Sequence, residues 1–142
     1  MRKSHLRLHN TADAMKLAVR VFEPGEFLVR QGEAGAEVFL IREGDCDVLV
    51  SRDGEGDNPK RVATRSKGDF IGEMKMAVSV DENEDAAVEF RCRSASVRAV
   101  TRVTATVLSK SDMRWAVDHD YSLDGEIQSV IRMRTAELAA ET

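Results

Sequence analysis

The residues with the most chemical content are Phe70-Ile71-Gly72-Glu73-Met74 and, further along, Arg93-Ser94-Ala95-Ser96-Val97-Arg98-Ala99. A strand that runs into glycine and then a short apolar, helix-like turn presents several backbone N–H groups at one point, and such a point accepts an anion. Arg93, where the following strand begins, can add a planar fork of donors to the same phosphate, while Glu73 can accept hydrogen bonds from sugar hydroxyls. Together they describe a ligand with a phosphate beside a ribose. Each residue also has an ordinary reading. Glu73 extends a series in which eight of the nine glycines precede an acidic residue, most of them chain corners. Arg93 has Arg91, Arg98 and Arg102 close by in sequence. Only the pairing of the two segments points to a site.

Other chemistries find less support. His5 and His9 lie near the N-terminus and His119 lies between two helical patterns, so no triad or metal set is assembled. No GxSxG, P-loop or HExxH pattern is present. Asp120, Ser122, Asp124, Gly125 and Ile127 imitate the opening of a calcium loop, but Ile131 stands where a bidentate Glu is needed. Asp81, Asn83 and Asp85 repeat that spacing, with Ala86 and Cys92 in the turn and closing positions. No catalytic residue and no metal ligand is expected. Cys46 and Cys92 form no CxxC unit and read as buried reduced thiols of a reducing compartment.

The chain has 142 residues, 42% of them hydrophobic and 32% charged, which is the composition of one folded domain with one core. At this length folding buries roughly 70% of the surface of the open chain, so neither metal nor disulfide is needed for stability. Lys and Arg number 21 against 25 Asp and Glu, for a net charge of -4. The cations are scattered among carboxylates, which disfavours a nucleic-acid partner, since phosphate binding needs them gathered on one face. Apolar runs are far shorter than the roughly 20 residues of a membrane span, and no secretion signal is seen. A cytoplasmic domain without direct membrane contact is the expectation.

Several elements must position the two segments. A short helical pattern covers Thr11 to Val19, with Ala14, Met15, Leu17 and Ala18 as its apolar stripe, and Pro24-Gly25 breaks the chain a few residues later. Short runs bounded by glycine then read as strands, Phe27–Val29, Val38–Ile41 and Val48–Val50, and further short strands follow at close spacing: Arg61–Thr64, Phe70–Ile71, Ala95–Val100 and Val103–Leu108. Ser51–Lys60, with Gly54, Gly56 and Pro59, reads as a solvated hairpin loop. Ser111-Asp112 can cap a short helix carrying Met113, Trp115, Ala116 and Val117. A longer helix starts near Asp124, with Ile127, Val130, Ile131 and Leu138 on one face and Arg132, Arg134 and Glu137 mostly off it. The fold class is α+β, a small antiparallel β unit with helices gathered at its ends.

At these residues the chain resembles the cyclic-nucleotide-binding domain family, whose phosphate-binding cassette runs Phe-Gly-Glu-Leu-Ala-Leu and then Arg-(Ser/Thr)-Ala-(Thr/Ser)-Val. The resemblance extends to Phe22-Glu23-Pro24-Gly25-Glu26-Phe27-Leu28-Val29-Arg30-Gln31-Gly32-Glu33 and to Val38-Phe39-Leu40-Ile41-Arg42-Glu43-Gly44, and it covers roughly Val21 to Leu108. It implies an eight-stranded antiparallel β-roll, jelly-roll-like, with a short cassette helix. A helical segment over residues 1–20 would precede a roll over 21–109, and two helices over 110–142 would act as lid and hinge. It also implies a regulatory sensor that binds cAMP or cGMP and couples occupancy to movement of its C-terminal helices.

On that resemblance the ligand-binding residues are Phe70, Ile71, Gly72, Glu73, Met74, Lys75, Arg93, Ser94 and Ala95. Arg93 takes the phosphate, Glu73 the ribose and the amides from Gly72 onward the anion. Ile127, Val130 and Ile131 are the candidates to close over the base. Two departures stand out: Lys75 replaces a small residue, and the connection from Met76 to Arg93 is longer than usual and carries Asp81, Glu82, Glu84, Asp85 and Glu89. They leave open an alternative in which the fold serves as an interaction or structural module without nucleotide. In either case an output domain, such as a channel, kinase or exchanger, is expected as partner. A helix-turn-helix of the catabolite activator type would need more chain after the last helix than Thr142 allows.

Overall fold

The computed structural model describes residues 6–35, 37–51, 58–72 and 93–119, with positions 125–126, 129–130, 132–134 and 136–137 of the C-terminal segment. Most of the expected Ser51–Lys60 loop lies outside the described residues, as do Glu73, Met74, Lys75, Ile127 and Ile131 and the expected cassette helix. In chain order the elements are α1 (Leu6–Asp13), β1 (Ala18–Phe22), β2 (Phe27–Val29), β3 (Val38–Glu43), β4 (Asp45–Val50), β5 (Lys60–Ser66), β6 (Phe70–Ile71), β7 (Ser96–Ala99), β8 (Val103–Leu108) and α2 (Lys110–His119). The strands make two four-stranded antiparallel sheets, ordered β1-β8-β3-β6 and β2-β7-β4-β5. This is the expected eight-stranded roll.

The first sheet is covered on both faces, which explains the unbroken apolar run of β3. Successive side chains of a strand point to opposite faces. Phe39 and Ile41 join Phe22, Ile71, Val103, Ala105 and Val107 to meet Leu28, Cys46, Val48, Val97 and Ala99 of the second sheet. Val38 and Leu40 face the other way and pack with Phe70, Leu108, Ala12 of α1, Met113 and Ala116 of α2, and Val130. Each fully buried side chain of this size contributes roughly 1.5–3 kcal/mol. β6 inherits the same division: Phe70 points to the helices and Ile71 into the roll. No helix of the described residues is long and apolar enough to cross a membrane.

Two local expectations are corrected. The helix read over Thr11 to Val19 ends at Asp13, and residues 18–22 are β1, paired with β8 from Ala18↔Val107 to Phe22↔Val103. The roll therefore starts before position 21. Val19 and Val21 are β-branched and find strand partners, and this pairing outweighs the weak helical stripe ahead of them. The cap of α2 is Ser109 and not Ser111: the Asp112 N–H donates to Ser109 Oγ at 3.1 Å, and the Ser109 N–H donates to Asp112 Oδ2 at 2.9 Å. The two residues satisfy each other's orphan donors as a capping box.

Cys46 sits in the core between the sheets, fully buried. Burial, with Asp45, Asp47 and Asp69 adding to it, pushes its thiol from the ordinary 9.0 up to about 12. The folded state favours the protonated thiol, so its contribution to stability is complete below pH 9.0 and is lost as pH climbs toward 12. We expect native Cys46 to resist iodoacetamide at pH 8 and to react once the chain is unfolded in guanidinium, read by peptide mass spectrometry. Labelling of the folded protein at the rate of an exposed thiol would contradict this placement.

Candidate functional site

Arg93 is held at both ends. The Gly32 N–H donates to its carbonyl at 2.8 Å and its own N–H donates to the Glu33 carbonyl at 2.9 Å, so the turn after β2 fixes where the residue sits. The side chain then runs inward and is 8% exposed. Its Nη2 donates to the Glu37 carbonyl at 3.0 Å.

Two glycines make room for it. A Cβ placed on Gly35 would fall 2.8 Å from Arg93 Nη2, and a Cβ on Gly72 would fall 2.6 Å from Nη1 and 2.6 Å from the Glu37 carbonyl oxygen. Real Cβ atoms do not approach so closely, so only glycine lets the guanidinium lie between these two backbone segments. Gly72 also has φ +97°, a conformation that L side chains rarely adopt. Sheet register brings the corner there: Phe39↔Ile71 and Leu40↔Phe70 pair β3 with β6, which sets Gly72 beside Glu37. The backbone corner at Gly72 and the guanidinium of Arg93 thus meet, although a long stretch of chain separates them.

The other candidate residues fall into place around this pair. Ser94 is exposed. Ala95 packs against the core between the sheets together with Val29, Val62 and Ala63, and all four keep part of their surface open. Ser96 Oγ accepts a hydrogen bond from the Gln31 N–H at 2.8 Å, and the Gln31 side chain is clamped to the Ser51 backbone, its Oε1 accepting from N–H at 2.8 Å and its Nε2 donating to the carbonyl at 3.1 Å. These bonds brace the turn that carries Arg93. Phe70 and Ile71 are core residues on opposite faces of β6, so they position Gly72 through the strand. Val130, a candidate to close over the base, is 3% exposed and its side chain belongs to the helix-side core with Ala12, Phe70 and Met113.

Sequence reasoning misses three contributors. Gly35 is the one glycine not followed by an acid, in a run of small residues before β3, and that exception is its signal. The Glu37 carbonyl is backbone and has no signature. Arg134, expected off the apolar face of the last helix, is 7% exposed, and its Nη1 donates to the Phe70 carbonyl.

The roll of two antiparallel sheets thus carries, at the end of β6, a glycine corner backed by a buried arginine. The cyclic nucleotide-binding domain family matches residues 19–120, and the chain belongs to that family. It is 30% identical over 134 residues to a putative potassium channel protein of Rhodopseudomonas palustris, covering 93% of this chain and 29% of that protein. It is 29% identical over 107 residues to a cyclic nucleotide-gated channel of Caenorhabditis elegans, covering 75% of this chain and 13% of the channel. The chain therefore spans less than a third of either relative. Among solved structures it is similar to the regulatory subunit of a cAMP-independent protein kinase A from Trypanosoma brucei, with TM-score 0.63 and 26% identity over 92% of this chain and 40% of that one.

Proposed function

We propose that this chain is a sensor domain, without catalytic activity of its own, that binds a cyclic purine mononucleotide, cAMP or cGMP, and passes occupancy on through its C-terminal helices. The observation that carries the reading is the Arg93 guanidinium set between the backbones of Gly35 and Gly72, where the family motif puts its phosphate. Arg93 and the amides from Gly72 onward receive the cyclic phosphate, and Glu73 accepts from the ribose hydroxyl. The base lies against the partly open apolar surface of Val29, Val62, Ala63 and Ala95. Occupancy shifts the helices only as far as the nucleotide prefers one of their positions. An output domain, a channel, kinase or exchanger in the cytoplasm, takes up that movement. The channel relatives favour the first.

Calorimetry with cAMP, cGMP and linear AMP tests the reading: both or one of the cyclic ligands bind and AMP binds at least about tenfold more weakly. Failure of both cyclic nucleotides at millimolar concentration would reject it in favour of an interaction module on the same fold. The role of Glu73 has its own test. Glu73→Ala should cost about 1.5–3 kcal/mol, roughly tenfold to a hundredfold in affinity, as expected for a hydrogen bond to a charged acceptor. The 2′-deoxy ligand should bind the variant and the parent equally. A penalty in Glu73→Ala that persists with the deoxy ligand would place the carboxylate elsewhere.

A further inference from the structure

Every described position between 125 and 137 is helical, and this segment grips the roll with two basic–acceptor contacts one turn apart. Arg134 Nη1 donates to the Phe70 carbonyl while its guanidinium lies 5.1 Å from the centre of the Phe70 ring. Glu137 Oε1 accepts from Arg65 Nη2 at 2.9 Å, and Arg65 is 6% exposed. Residues three apart share a helix face. That face touches β6 at one point and β5 at the other.

β6 and β5 are the end strands of the two different sheets, joined directly by the turn at 66–69. Among the described residues β6 has a strand neighbour on one side only, β3, so Arg134 supplies a donor to a strand edge. The contacted carbonyl belongs to the residue two before Gly72. A displacement of that corner is therefore felt at the guanidinium through two peptide units, with the Phe70 ring and Val130 in the same buried cluster. The Arg134 bond is buried and Arg65 is buried beneath the half-exposed Glu137, so each contact leaves a buried guanidinium short of an acceptor when it breaks, and loss of either loosens the helix face.

We infer that Arg134 and the Arg65–Glu137 pair form a two-point latch across the seam between the sheets. It positions the C-terminal helix and couples it to the Phe70–Gly72 corner. The inference rests on the proposed nucleotide site for its ligand response, but not for the latch itself. Arg134 is a positioning residue and does not touch ligand.

Hydrogen exchange by mass spectrometry on the full chain, with and without saturating cAMP or cGMP, tests it on Arg134→Met, Arg134→Lys and Glu137→Gln. Without ligand, Arg134→Met and Glu137→Gln should speed exchange about tenfold both in the C-terminal helix and at Phe70–Gly72, and Arg134→Lys should recover part of the protection. With ligand, the parent helix gains protection, while in Arg134→Met the nucleotide still binds but the helix no longer responds. Glu137→Gln, at a half-exposed position, keeps the test valid if Arg134→Met folds poorly. Unchanged exchange at Phe70–Gly72 in both Arg134→Met and Glu137→Gln, or a full helix response in Arg134→Met, overturns the latch. A parent that binds neither nucleotide but shows the ligand-free effects would overturn the proposed function and leave the latch standing.

Discussion

Replacing Arg93 by alanine is expected to lower nucleotide affinity by roughly thirtyfold to several thousandfold, about 2 to 5 kcal/mol, because a buried fork of donors to a phosphate is lost and the anion stays desolvated. The guanidinium is fixed before any ligand arrives: backbone bonds to Gly32 and Glu33 set its root, and the Glu37 carbonyl holds Nη2. Such preorganisation means that little ordering entropy remains to oppose binding. Arg93→Lys should recover only part of the affinity, since an ammonium is a point charge and cannot reproduce a planar pair of bonds. Arg93→Ala also leaves the Glu37 carbonyl without this donor, so a thermal melt belongs beside the calorimetry. An affinity for cAMP and cGMP unchanged in a folded Arg93→Ala protein would remove the site from this corner.

Gly72→Ala should do two things at once. The methyl must adopt φ +97° and must lie 2.6 Å from both Arg93 Nη1 and the Glu37 oxygen. The backbone conformation costs roughly 1–2 kcal/mol and the overpacking about 1–3 kcal/mol, so a destabilisation of about 2–5 kcal/mol is expected in a urea titration, with nucleotide binding lost. Gly35→Ala separates the two effects. The three atoms nearest its Cβ all belong to the far end of the Arg93 side chain, which can move aside. Stability should fall by less than about 1 kcal/mol, but the guanidinium is displaced and affinity should fall at least about tenfold. If Gly35→Ala binds like the parent, the sandwich of guanidinium between glycines does not govern recognition.

Legibility along the chain depends on the kind of force that shapes each element. Phe27–Val29, Phe70–Ile71 and Val103–Leu108 read with their observed bounds, because short runs rich in β-branched and aromatic residues, ended by polar residues or glycine, leave little choice of structure. β1 escapes such a reading over Ala18–Phe22, where Ala14, Met15, Leu17 and Ala18 imitate a helical stripe and the deciding interaction is pairing with β8, far along the chain. Arg134 reads as solvent-facing for a similar reason. An arginine on a helix is ordinarily solvated, and only the end strand β6 beside it, with a carbonyl to offer, makes burial worthwhile.

Composition, strand periodicity and the two cassette segments, taken along the chain, determined that this is an α+β roll with a candidate anion site at Gly72 and Arg93, since backbone preferences and side-chain chemistry are local properties. Tertiary structure alone decided that a guanidinium would lie between Gly35 and Gly72, that Glu37 would hold it by a carbonyl, and that the last helix would grip β5 and β6. Those contacts join residues far apart in sequence through strand register and shape, and neither leaves a periodic trace in the order of amino acids.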